Sequence, residues 1–166
     1  NTLKANYVKI NAVTSGVGDA KAIIERARVD KAMFGNDTFL ILDECHRWNK
    51  AQSDCVLEAI EDGSIFFIGT TTENPYTSMT RAIVSRCRVF EFKPITSKNI
   101  KQALIRALKD SENGLGNMPV DYSEEALEYI AFASSGDLRN SLNSLELAVM
   151  TSPVGKDKKI HIDLET

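Results

Sequence analysis

The chain has 166 residues, 26% of them charged, with a formal net charge of −3. That balance argues against a strongly basic nucleic-acid-binding module while leaving room for a local patch. Hydrophobic residues make up 43%, enough for a real core in one domain or one and a half small ones. No run of ~20 apolar residues occurs, so no transmembrane helix is expected, and residues 1–6 lack the apolar centre of a signal peptide.

Residues 7–10, Tyr-Val-Lys-Ile, predict a short strand, and the Thr, Ser and Gly residues of 11–18 a loop. Asp19 is placed to cap a helix carrying Ala22, Ile23 and Ala27, with Met33 further along; Gly35-Asn36-Asp37 ends it. Residues 39–44 read Phe-Leu-Ile-Leu-Asp-Glu. Four consecutive apolar residues predict a buried strand with both faces covered, and two carboxylates follow at its end. Open α/β sheets bind ligands at such strand ends. An Asp there can hold Mg²⁺ on a nucleotide, and a neighbouring Glu can deprotonate a water. The competing reading is a strand stopping in a polar turn, with Asp43 as a helix cap.

Val56, Ala59 and Ile60 predict a helix over 51–61, with a turn at Asp62-Gly63. Residues 65–69 form a second apolar strand that runs into Thr70-Thr71-Thr72-Glu73-Asn74-Pro75. A helix over about 78–86 and a strand at 89–92 follow. Together these elements predict an α/β fold, a parallel sheet with helices on both faces that lacks at least one strand of a complete doubly wound domain. Beyond Pro94 the texture becomes helical: 97–110 with Ile100, Ala103, Leu104, Ala107 and Leu108 on one face, a loop at 111–121, 123–134 capped by Ser123 and stopped by Gly136, and a third helix capped by Asp137. The expected division is an α/β core over 1–94 and a small helical lid over 95–166.

Three cysteines, Cys45, Cys55 and Cys87, fit no zinc or redox spacing and are read as reduced; two histidines, His46 and His161, are too few for a metal cluster. Asn74, beyond the second strand end, is either a γ-phosphate or water contact or a turn residue before Pro75. Arg86, at a helix end, is either a charge donated to a neighbouring subunit's nucleotide or a solvated surface residue. Arg139 sits in the first turn of a helix, where the dipole disfavours a cation. It is either a phosphate contact or the partner of Asp137 or a nearby Glu. His46, Arg47 and Lys50 read as a solvated polar loop, the competing reading being residues that couple nucleotide state to DNA.

In this order and placement, these residues resemble an AAA+ ATPase of the clamp-loader clade. Residues 39–44 match its Walker B strand, Asn74 its sensor 1, Ser85-Arg86-Cys87 its arginine-finger motif, and Gly136-Asp137-Leu138-Arg139 its sensor 2. Within that clade, residues 43–52, Glu61-Asp62-Gly63 and residues 67–75 are most similar to the replication-associated recombination protein A family, which includes the Werner-helicase-interacting ATPase. Cys45 stands where that family usually has Ile, and Trp48 where it has Phe; both read as packing exchanges.

The resemblance implies ATP hydrolysis with Mg²⁺. Asp43 would act on the metal, Glu44 on the water, Asn74 and Arg139 on the γ-phosphate, and Arg86 across a subunit interface. It further implies forked or single-stranded DNA as a partner, replication proteins as others, and self-association into a ring or other homo-oligomer. The implied compartment is the cytoplasm, or the nucleus in a eukaryote, with no membrane. No Gly-x-x-x-x-Gly-Lys-Ser/Thr occurs in the chain, and Gly16-Val17-Gly18-Asp19 has no Lys to replace it. The expectation is therefore a fragment, inactive alone, of an ATPase whose phosphate loop lies upstream. The alternative is a non-catalytic scaffold subunit of a clamp-loader-like assembly.

Overall fold

Residues 5–164 are described by a computed structural model; the outer ends of the two expected domains, 1–4 and 165–166, lie outside it. The chain divides into two compact units, Asn1–Phe90 and Glu91–Thr166. The first unit holds β1 (Ala5–Asn11), α1 (Val17–Phe34), β2 (Asp37–Asp43), a 3₁₀ turn (Cys45–Arg47), α2 (Lys50–Glu61), β3 (Phe66–Gly69), α3 (Pro75–Ser78) and α4 (Arg81–Arg86). The three strands form one parallel sheet in the order β1-β2-β3, with Asn11 opposite Asp43 and Leu42 opposite Gly69. Each parallel crossover needs a long connection, which α1 and α2 supply.

The sheet is covered less completely than its apolar strands predict. β2 alternates between buried and half-buried residues instead of being buried throughout. Val8, Leu40 and Phe67 share one face with Ile10, Leu42 and Gly69. Leu40 and Leu42 there join Ala20, Ile24 and Ala27 of α1 and Val56 and Ala59 of α2 in a single core. The opposite face carries Tyr7, Phe39 and Phe66, whose rings stack at 5.3 and 5.0 Å, and Tyr7 and Phe66 remain about half exposed. Within the first unit, then, α1 and α2 pack on the same face of the sheet. Aromatic stacking across directly paired strand positions packs the other face at this row.

Other local expectations shift for identifiable reasons. Asp19 is three residues inside its helix instead of at the cap: α1 starts at Val17, and the Asp19 carboxylate accepts from the Gly16 N–H (2.8 Å). Ala22 and Met33 face solvent, and Ala20, Ile24 and Ala27 form the buried stripe. The helix expected at 78–86 is two short helices, because the Thr77 and Ser78 hydroxyls both donate to the Asn74 carbonyl and Thr80 starts a new cap. Residues 89–92 form no strand. A strand needs a ladder partner for its backbone groups, and this segment is unpaired, with Phe90 70% and Phe92 94% exposed, where the two units divide.

The second unit holds α5 (Ser97–Lys109), β4 (Val120–Tyr122), α6 (Glu124–Ala133), α7 (Leu138–Thr151) and β5 (Ile160–Ile162). Ile100, Leu104, Leu127, Leu145 and Val149 are almost fully buried together. Thr96, Ser123 and Asp137 cap the three helices through their side chains. The predicted loop at 111–121 hides β4, which pairs in parallel with β5; three-residue strands separated by 37 positions leave too short a pattern to read.

Gly136 fixes the α6–α7 turn. Its φ is +90°, its carbonyl accepts from the Ile95 N–H (3.3 Å), and a Cβ there would lie 2.6 Å from Pro94 Cβ. Gly136→Ala is therefore expected to destabilise the second unit by about 1–3 kcal/mol, read as a lowered urea midpoint; an unchanged midpoint would contradict the close approach to Pro94.

Candidate functional site

The site grows from the exit of β2. Strand alternation puts Asn11, Asp43 and Thr70 in one row on the face opposite α1 and α2. Backbone pairing runs past the apolar residues: Thr70 N–H donates to Leu42 O (2.9 Å), Cys45 N–H to Thr70 O (2.9 Å) and Ala12 N–H to Asp43 O (2.9 Å). Asp43 therefore stays in the sheet, and no helix takes it as a cap. The Thr70 hydroxyl donates to Asp43 Oδ1 at 2.6 Å, and Lys9 Nζ lies 3.3 Å from Oδ2. The Thr70 hydrogen bond and then the Lys9 ammonium hold the Asp43 carboxyl below its ordinary range.

Glu44 occupies the left-handed region, φ 57° and ψ 38°. A non-glycine residue there costs on the order of 1–2 kcal/mol. The bonds of Cys45 N–H to Thr70 O and of Arg47 N–H to Glu44 O (2.9 Å) hold the turn closed around it. Cys45 and Trp48, 2% and 7% exposed, enter the core and anchor the turn from below, as packing exchanges should. Burial pushes the Cys45 thiol up to about 11, which keeps it protonated and unreactive. All three cysteines are free.

His46 departs from the expected solvated loop. Arg47 and Lys50 are exposed, but the His46 side chain is 4% exposed. Its Nδ1 is 2.8 Å from the Thr71 hydroxyl, and its Nε2 is 3.5 Å from Glu44 and 3.7 Å from Glu73. Asn74 lies one residue beyond that cluster. Its Oδ1 accepts from Tyr76 N–H (3.0 Å) and caps α3, so the local turn role is real, and the residue is exposed.

Arg86 is not brought to the carboxylates. It ion-pairs with Glu61, and its guanidinium also donates to Ala82 O (3.0 Å). Glu61 ends α2 shortly before β3 begins, so this pair belongs to the entry side of the strands and Asp43 to their exit. Arg139 belongs to the second unit. It is exposed in the first turn of α7 and forms no ion pair there among the described residues, because the Asp137 carboxylate accepts instead from Asn140 N–H (3.0 Å).

Sequence reasoning passed over Lys9, Thr70, Thr71 and Glu73, and placed His46 in a solvated loop. The signal for Thr70 was present: a hydroxyl immediately after an apolar strand, in register with the acid ending its neighbour. A group with a depressed folded pKa stabilises above its unfolded pKa, and that contribution is lost as pH falls through the folded value. Thr70→Val is expected to move the Asp43 carboxyl titration upward and to weaken its contribution to stability in mild acid. A carboxyl-carbon NMR titration checks this, and an unmoved Asp43 pKa would contradict the assigned hydrogen bond.

No protein-family model matches the chain. It is 42% identical over 160 residues to Replication-associated recombination protein A of Bacillus subtilis, covering 96% of this chain and 37% of that protein. It is 43% identical over 143 residues to the protein of the same name from Escherichia coli K12, covering 86% and 32%. Its identity to ATPase WRNIP1 of Dictyostelium discoideum is 39% over 148 residues, covering 88% and 17%. The chain thus spans about a third or less of the length of these relatives. Among solved structures, the Thermotoga maritima RuvB Holliday junction branch migration motor superposes with a TM-score of 0.71 at 24% identity, covering 96% of this chain and 50% of that one. That likeness shows the fold. Over the residues they share, the chain is thus a relative of the Replication-associated recombination protein A proteins and of ATPase WRNIP1.

Proposed function

We propose that this chain is the water- and metal-handling part of a longer, DNA-dependent ATPase that acts in replication-fork maintenance, recombination and repair. The observation that carries the reading is the pair of adjacent carboxylates at the exit of β2, Asp43 joined to the Thr70 hydroxyl and Glu44 held at φ 57°. Mg²⁺ prefers oxygen ligands, one or two carboxylates together with substrate phosphates. Asp43, charged and beside a hydroxyl, is a donor set that fits it. Bound with ATP, the ion supplies positive charge that neutralises the phosphate oxygens.

In this proposal Asp43 holds the metal and exchanges its Lys9 contact for it. Glu44 takes the proton of the attacking water as the water oxygen bonds to the γ-phosphorus and ADP leaves. Asn74 contacts the γ-phosphate, and Arg139 is the phosphate contact of the second unit, which serves as the lid. Arg86 trades Glu61 for the phosphate charge of a neighbouring subunit in a homo-oligomer. DNA, forked or single-stranded, is the proposed partner. Among the described residues, no helix is long and apolar enough to cross a membrane. Because the chain contains no Gly-x-x-x-x-Gly-Lys-Ser/Thr, it is expected to neither bind ATP tightly nor hydrolyse it alone.

In the longer protein, Glu44→Gln is expected to keep nucleotide binding and to lose turnover by about 10²-fold or more. Turnover near the parent rate would remove Glu44 as the base. Mixing Arg86→Ala subunits with Glu44→Gln subunits should restore part of the activity, since each supplies what the other lacks; a mixture as inactive as its components would contradict action across subunits.

A further inference from the structure

His46 is a nearly buried imidazole that the proposed hydrolysis does not use. Burying a polar ring is unfavourable unless its nitrogens are satisfied, and here both face partners. On one side, Nδ1 lies 2.8 Å from Thr71 Oγ1. On the other, Nε2 lies between two carboxylates, 3.5 Å from Glu44 Oε2 and 3.7 Å from Glu73 Oε1. Two carboxylates facing Nε2 require a hydrogen on that nitrogen. The Thr71 hydroxyl already accepts from the Glu73 N–H (3.0 Å), so its proton is available to Nδ1.

The ring therefore bridges two segments that leave adjacent strands. Glu44 and His46 follow β2; Thr71 and Glu73 follow β3 and lead directly into Asn74. Their backbones are joined at one point, Cys45 N–H to Thr70 O, and the imidazole adds a side-chain link just beyond it. Neither carboxylate is at full hydrogen-bond distance. The single Nε2–H has to close by about 0.5 Å on one of them and thereby leave the other. A small displacement of the Thr71–Asn74 segment thus decides which carboxylate the ring holds.

We propose that His46 is a positioning residue for Glu44, setting the orientation of its carboxylate and coupling it to the 71–74 segment, with Glu73 as the competing acceptor. The proposal rests on the reading of Glu44 as the base. It predicts an effect on turnover with little effect on nucleotide affinity, because the groups that His46 faces, Thr71, Glu44 and Glu73, are none of those assigned to the metal or the phosphates.

The test uses the longer ATPase carrying this chain. His46→Ala is expected to lower kcat by about tenfold or more while KM for ATP stays within about twofold. His46→Gln, which can place an amide N–H near the Nε2 position, should recover most of the loss. His46→Asn, which reaches only as far as the Thr71 side, should not. Where His46→Ala melts before assay, the ranking of Gln over Asn decides. A folded His46→Ala with unchanged kcat, a rise in KM alone, or equal recovery by Asn and Gln would overturn the proposal. Glu44→Gln is assayed beside them. If it abolishes turnover while His46→Ala leaves kcat unchanged, only the positioning role falls; if it leaves turnover intact, the Glu44 reading falls first.

Discussion

The hydrogen bond from Cys45 N–H to Thr70 O is the constraint on which the candidate site depends. Parallel pairing between β2 and β3 does not stop where the apolar residues stop. It continues through Thr70 N–H to Leu42 O and then across to Cys45, so that two strand exits are locked at the same height. The carboxylate end of the candidate site hangs from that lock. Asp43 meets the Thr70 hydroxyl because the two residues are in register, and Glu44 is turned into the left-handed region because the chain must leave Asp43 and still deliver Cys45 to Thr70. Two backbone bonds of about 1 kcal/mol each offset a conformational cost of about the same size, with Cys45 and Trp48 sunk in the core beneath.

The same register divides the sheet into two unlike faces. Small and branched residues, Ala20, Ile24, Ala27, Leu40, Leu42, Val56 and Ala59, close the side against α1 and α2. Asp43 and Thr70 rise on the other side, in line with Lys9 and the Tyr7–Phe39–Phe66 stack. A rigid layer below and an open face above suit a site that must receive a large charged ligand, since strand-mounted groups are held more tightly than groups on loops.

Much of this was legible in the residues. Fully apolar segments at 39–42 and 65–69, separated by a helical spacing, specify a parallel sheet, and Ser123, Gly136 and Asp137 mark real helix boundaries. What stayed hidden depends on pairing. Residues 89–92 have the composition of a strand but no partner among the described residues, whereas 120–122 and 160–162 have little strand pattern and find each other. The continuous apolar run of β2 concealed an alternation that only the packing of α1 and α2 reveals. His46 looked like part of a polar loop because burial comes from the fold of the turn, not from its neighbours in sequence. Arg86 looked free because Glu61 approaches it from another helix.

The central claim is that the exit of β2 is where a nucleotide-bound metal sits. Replacing Mg²⁺ with Fe²⁺ in the ATP-bound longer protein, then adding ascorbate and peroxide, cleaves the backbone near the ion. Mapping the cuts by mass spectrometry tests the claim directly. The account predicts ATP-dependent cleavage at residues 43–44 and 70, lost in Asp43→Asn. Cleavage confined to other parts of the chain, or cuts at 43–44 that survive Asp43→Asn, would contradict it.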